Sequence, residues 1–186
     1  MIIPTIYNSQ DKGDLYSILF TKRMLFINED ITKELASIIV GELMYLDSLN
    51  HDDITIHICT NGGDLDAATM IIDAMSLVKS DICTINIGAA YSCGALLLIA
   101  GTSGKRYAFP NSRVLLHQPL IGLNGFMQTS DLEIKTNQLI KRKKQIKEFI
   151  FKHSFFPEDK IDKVIDRDTY FTAEESLVSG LIDKIL

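Results

Sequence analysis

Positive charge is in short supply in this sequence. There are 19 Lys and Arg against 24 Asp and Glu, a net charge of −5. A general nucleic-acid-binding role therefore has no electrostatic support. Cysteine is scarce too: Cys59, Cys83 and Cys93 are the whole set. An odd number, each in an apolar segment, points to buried free thiols in a reducing compartment rather than to disulfides. No Cys-x-x-Cys or His-x-x-x-His spacing occurs, so no zinc site is indicated. No apolar run reaches the roughly 18 residues that a membrane span needs. The first residues, Met1 to Tyr7, lack a basic flank and a long apolar stretch, so no secretory signal is expected. The glycine-rich phosphate loop of ATPases is absent, so no nucleotide is expected to bind this chain.

What is present fits one domain with a substantial core. The chain has 186 residues, 46% hydrophobic and 23% charged. Residues 1–13 read as an irregular, mobile arm with a polar run from Asn8 to Gly13. Arg23 to Ile27 reads as a strand. Thr32 can cap a helix running to about Leu49, with apolar residues at 35, 38, 39, 43 and 46. Asp53 to Cys59 is a second strand, Thr60 to Asp64 a sharp turn, and Leu65 to Val78 a helix. Ile82 to Gly88 is a buried strand and Leu96 to Ala100 part of a buried helix. Two short strands, Lys105 to Phe109 and Arg113 to His117, follow. Strand and helix alternate, which predicts an α/β fold with parallel pairing. Gln128 to His153 then forms one long helical pattern with mixed faces. It is longer than one small core needs, which suggests packing against another subunit. Its basic cluster, Lys141 to Lys144 with Lys147, reads as a solvated face. Thr172-Ala173-Glu174-Glu175 is a capping-box start, and Gly180 closes that helix.

Ser92 lies between the buried strand and the buried helix. Two readings stand side by side there. It is an N-cap serine among glycines, or a nucleophile at a helix N-terminus, where free N–H groups favour developing negative charge. A nucleophile needs a base. His51 sits in a polar turn, His57 alternates within a strand as a packing residue, and His153 ends the long helix. His117 differs, because it closes an apolar strand before Gln118-Pro119. It suits a general base, or else a satisfied sheet-edge histidine. Asn61-Gly62-Gly63 follows a buried strand. Its glycines either make a tight turn or aim a backbone N–H at a ligand. Asp166-Arg167-Asp168 is a dense charge run between two short helices, of the kind that is usually solvated.

Taken together, these pieces resemble the ClpP family, the proteolytic subunits of the ATP-dependent Clp protease. The resemblance rests on Asn61-Gly62-Gly63, on Gly88 to Ala95 around Ser92, and on Gly104 to Pro119. It is completed by Asp166-Arg167-Asp168 and by Ala173 to Asp183. It spans Ile3 to Asp183. It implies a ClpP/crotonase-like spiral of βαβ units in one domain over residues 1–186. Residues 1–20 would form an axial arm and first helix, 21–120 and 160–186 a head, and 121–159 a protruding handle region. It implies a serine endopeptidase with Ser92 as nucleophile, His117 as base and Asp168 as its orienting acid. The backbone N–H groups of Gly63 and Cys93 would form the oxyanion hole, and Leu120 would lie on an edge that pairs with extended substrate. Asp166 and Arg167 would make contacts between rings. Two stacked heptameric rings, a tetradecamer, would enclose the sites. A Clp AAA+ unfoldase of the ClpX, ClpA or ClpC type would use ATP and feed unfolded protein. No cofactor, nucleic acid or membrane is implied for this chain, and the implied location is a bacterial cytoplasm or a plastid stroma.

Several positions depart from the family pattern. Asn61 stands where proline is usual, Tyr91 where a small residue is usual, and Cys93 where methionine is usual. His57 replaces a tyrosine of the pocket that receives the ATPase loops, and Lys12-Gly13-Asp14 stands in a usually arginine-rich arm. These departures suggest a divergent paralogue. Two alternatives accompany the peptidase reading. One is a non-catalytic or conditionally active ring subunit that needs a second ClpP-type chain. The other is a crotonase-type acyl-CoA enzyme sharing the fold.

Overall fold

The computed structural model describes residues 3–7, 12–122 and 125–186. The arm expected to be irregular contains instead a short antiparallel pair, β1 (Thr5–Tyr7) and β2 (Lys12–Asp14), followed by α1 (Leu15–Thr21). The Asp14 carboxylate caps α1 by accepting from the Ser17 N–H, a local signal hidden inside the polar run. Residues 8–11 of that expected arm lie outside the described residues.

The central sheet is built as predicted, by alternation of strand and helix. In order come β3 (Met24–Ile27), α2 (Lys33–Leu49), β4 (Ile54–Thr60), α3 (Leu65–Leu77), β5 (Ile82–Tyr91) and α4 (Cys93–Ile99). β3, β4 and β5 pair in parallel. β4 alternates: Ile54, Ile56 and Ile58 are fully buried on one face, and Thr55, His57 and Cys59 are half-buried on the other. Thr32 caps α2 and Asp64 caps α3 through their side chains. Every residue of α4 is buried, as its all-round hydrophobicity requires.

Beyond α4 lie β6 (Arg106–Ala108) and β7 (Arg113–Leu116). β5 is longer than expected, running to Tyr91 rather than ending at Gly88. Its first half pairs with β6 and its second half with β7, so the sheet forks there. Buried Asn86 holds the fork: its amide donates to the Arg113 carbonyl and its oxygen accepts from the Gly88 N–H. α5 (Thr129–His153), α6 (Glu158–Asp166), β8 (Thr169–Thr172), α7 (Ala173–Val178) and β9 (Lys184–Ile185) complete the chain. β8 pairs antiparallel with β7, and β9 parallel with β6. The predicted capping box of α7 is present, Thr172 and Glu175 satisfying each other's backbone.

α5 is the exception to this compactness. Every residue from 128 to 138 is exposed, and only Ile146 and Ile150 are buried along its 25 residues. Its C-terminal end is fastened by buried Arg106, which pairs with Asp183 and donates to the His153 carbonyl. Among the described residues, no helix is long and apolar enough to cross a membrane. All three cysteines are free thiols.

Candidate active site

Sheet register brings the three expected side chains together. Tyr91 of β5 lies beside Leu115 of β7, and Leu116 of β7 lies beside Thr169 of β8. Ser92 is one step past Tyr91, His117 one step past Leu116, and Asp168 one step before Thr169. Three residues distant in sequence therefore meet at one edge. His117 Nε2 is 2.7 Å from Ser92 Oγ. His117 Nδ1 is 3.5 Å from Asp168 Oδ1, within ion-pair range but beyond a hydrogen bond. The Asp168 side chain is 61% exposed, so nothing packed around it fixes that last distance.

Ser92 occupies the N-cap position of α4, yet its hydroxyl caps nothing. Its backbone has φ 54° and ψ −119°, a region sparsely populated by residues with a Cβ and typical of strained functional turns. Arg23 is the other non-glycine with positive φ among the described residues. There the cause is visible: its guanidinium fans out to Leu46, Asp52 and Asp53 carbonyls and to Ser80 Oγ. Ser92 has no such web. Its N–H donates to the Leu115 carbonyl, and its hydroxyl goes to His117.

The Gly62-Gly63 turn lies against this serine. Gly63 has φ 149°, and a Cβ on it would sit 2.3 Å from the Ile31 carbonyl oxygen. A Cβ on Gly62 would sit 2.8 Å from the Ser92 Cβ. Both positions require glycine. The turn is tied down by Ile31, whose N–H donates to Gly62 and whose carbonyl accepts from Asp64. Among the described residues, no backbone carbonyl accepts the Gly63 N–H or the Cys93 N–H. Cys93 opens α4, where first-turn N–H groups have no partner within the helix.

The unusual neighbours have defined places. Asn61 does not leave the turn slack, because buried Thr60 braces it. The Thr60 hydroxyl donates to the Glu29 carbonyl and accepts from the Gly62 N–H. Tyr91 turns toward Tyr170 in an edge-to-face contact, ring centroids 5.7 Å apart, and does not line the cavity at Ser92. Cys93 does line it, and its thiol donates to the Gly63 carbonyl over 3.4 Å. Burial pushes that thiol up, so it stays a protonated donor. His57 stacks on Phe26, centroids 4.7 Å apart. Burial lowers its basicity, and among the described residues its Nδ1 has no hydrogen-bond partner.

The sequence model of the Clp protease family matches residues 8–186. The chain belongs to the Clp protease family. It is thus a ClpP-type peptidase by family, and its mixed α/β architecture with a parallel sheet is consistent with the ClpP/crotonase-like fold. A cavity of about 480 Å³ opens at Ser92, His117, Gly63 and Cys93. Leu120 lines it, is 76% exposed, and makes no backbone hydrogen bond among the described residues. It lies in no strand; the nearby edge is partly occupied, since Gln118 bonds Ile165 and Asp166 carbonyls. Asp166 and Arg167 are exposed, and Arg167 donates to the Asp166 carbonyl.

Sequence reasoning missed the far side of this cavity. Leu139, Arg142 and Ile146 of α5 face Leu65 and Asp66 of α3 across it. By composition Arg142 belongs to a solvated basic face, yet it lines the cavity. Its spacing of three from Leu139 and four from Ile146, one semi-apolar face, was the available signal.

Proposed function

We propose that the protein is a serine endopeptidase acting on unfolded polypeptide. The observation that carries this is the 2.7 Å contact between Ser92 Oγ and His117 Nε2 on a strained turn, beside two N–H groups that no backbone carbonyl accepts. Ser92 Oγ attacks the peptide carbonyl carbon while His117 takes its proton. The Gly63 and Cys93 N–H groups hold the oxyanion, each such donor typically lowering the barrier by about 3 kcal/mol. The C–N bond breaks as His117 passes the proton to the leaving amine, and water repeats the sequence on the acyl-enzyme. Asp168 orients the imidazole and stabilises its charged form. Substrate runs along Leu120 in extended form, read mainly through its backbone.

The assembly belongs to the same proposal. Exposed Leu132, Ile134 and Ile140 on α5 suit burial between subunits, with Asp166 and Arg167 at ring contacts, in a tetradecamer of two heptameric rings. A Clp AAA+ unfoldase supplies the ATP-driven step; this chain works without a cofactor, nucleic acid or membrane, in a bacterial cytoplasm or plastid stroma. Single-domain organisation over 1–186, with arm, head and handle, is part of this reading.

The test is labelling by a fluorophosphonate together with cleavage of a fluorogenic peptide. Both are expected from the wild type and neither from Ser92→Ala, whose particle size should be unchanged. Peptidase activity that survives Ser92→Ala overturns the assignment.

One observation favours a conditional version. The open 3.5 Å link from His117 to an exposed Asp168 suits a subunit whose site closes on contact with a second ClpP-type chain. Activity that rises at least tenfold in a mixed complex supports it; equal specific activity alone and mixed removes it.

A further inference from the structure

Leu65, Leu96 and Leu116 give the cavity at Ser92 an apolar lining, yet it carries an ion pair on its wall. Arg142 Nη2 of α5 is 2.5 Å from Asp66 Oδ1 of α3, and both residues line the cavity. No other donor of the Arg142 guanidinium has a protein acceptor among the described residues. Asp64, also on the wall, caps α3 by accepting the Ala67 N–H, so its carboxylate faces the partial positive charge of that helix N-terminus rather than the cavity alone. A second cavity of about 540 Å³ abuts the first, and Leu65, Leu96, Arg142 and Ile146 line both. Arg142 therefore stands in the common wall of the two cavities.

Which substrate side chain enters follows from the reacting geometry. The scissile carbonyl carbon must lie at Ser92 Oγ, with its oxygen toward the Gly63 and Cys93 N–H groups. The side chain one bond away from that carbonyl then projects into the space bounded by those groups. We infer that Arg142 and Asp66 form a charge filter for the residue preceding the scissile bond. Paired, they cancel, and the apolar lining selects neutral side chains. Unpaired, each attracts the opposite charge. The pair is partly exposed, side chains 36% and 56% accessible, so it holds weakly and either partner can be retuned by a single change.

This inference rests on the peptidase reading. It is tested on the assembled enzyme with three coumarin-amide peptides that differ only in Leu, Lys or Glu before the scissile bond. Ratios of kcat/KM within one variant cancel any general loss of rate. Arg142→Gln should raise the Lys-to-Leu ratio about fivefold, and Asp66→Asn should raise the Glu-to-Leu ratio by a similar factor, order-of-magnitude values for one unbalanced charge near a surface. Both shifts should shrink as salt rises. The double reversal, Asp66→Arg with Arg142→Asp, should return both ratios toward wild type. A merely structural role predicts that both variants move the two ratios together, or not at all, without salt dependence; that result overturns the filter and leaves the peptidase reading intact. If the wild type, alone and mixed with a second ClpP-type chain, cleaves no peptide and fluorophosphonate does not label Ser92, the peptidase reading falls and the filter with it.

Discussion

The surroundings of Ser92 and the first half of α5 are opposites. Around Ser92, each group is positioned by another: Ile31 and Thr60 brace the glycine turn, and sheet register aligns Ser92 with His117. From 128 to 138, α5 has no buried residue, although Leu132 and Ile134 are apolar. A site that must hold atoms to fractions of an ångström is built from intrachain contacts. The surface proposed to meet another subunit is left bare. The same α5 joins the two regimes, since its second half supplies Leu139, Arg142 and Ile146 to the cavity.

The largest effects are expected where the bracing is tightest. Gly63→Ala forces a Cβ into the Ile31 backbone at a φ that L-residues rarely adopt. Peptide hydrolysis should fall by at least about 100-fold, the scale of one lost oxyanion donor. A kcat near wild type would mean that the turn does not serve the reaction. Next in size is Leu98→Ala in the fully buried α4. Chemical denaturation should show a loss of about 2 to 5 kcal/mol. A loss under about 1 kcal/mol would contradict the tight core drawn around the site.

That difference between regions also decides what the sequence could reveal. The β3–α4 alternation was legible because strand and helix periods are local. Thr32 and the Thr172–Glu175 box were legible because caps are chemical signals at fixed spacing. The N-terminal pair β1–β2 was not, since Lys12-Gly13-Asp14 carries no alternating apolar pattern. The fork of β5 was hidden as well, because it depends on Asn86 reaching Arg113 across the sheet. Ser92 and His117 stand out by their places at a strand-to-helix turn and a strand end, whereas the role of Asp168 comes only from the family resemblance; single residues 25 and 51 apart carry no periodic signal. Arg142 was overlooked because its partner Asp66 lies 76 residues away.

A smaller effect, confined to acid, should appear at the base of the head. Burial pulls the Asp47 carboxyl upward, but hydrogen bonds from the Ser80 N–H and hydroxyl, His51 and the Lys79 N–H outweigh it and hold it at about 2. A carboxylate whose folded value lies below its unfolded value stabilises the fold above the unfolded value, 3.8 here. That contribution fades as pH falls from about 4 toward 2. Asp47→Asn removes the charged acceptor, so the wild-type advantage over it should shrink across that window. Urea titrations at pH 6, 4 and 2.5 measure it; an unchanged difference would remove Asp47 from the acid response.

The smallest change in chain stability is expected in the bare half of α5, and it is the most telling one. Ile134 is 61% exposed. If its side chain meets only solvent within one chain, Ile134→Ser removes no intrachain packing. Unfolding free energy of the separated subunit should then move by no more than about 0.5 kcal/mol, the usual range for surface changes. The same substitution puts a hydroxyl where two subunits would bury an apolar stripe, so sedimentation should show rings in place of the double-ring particle. A stable double ring would mean that α5 keeps its apolar residues for some other surface. A large loss of subunit stability would mean that the first half of α5 packs on its own head, and the contrast between the two regions would disappear.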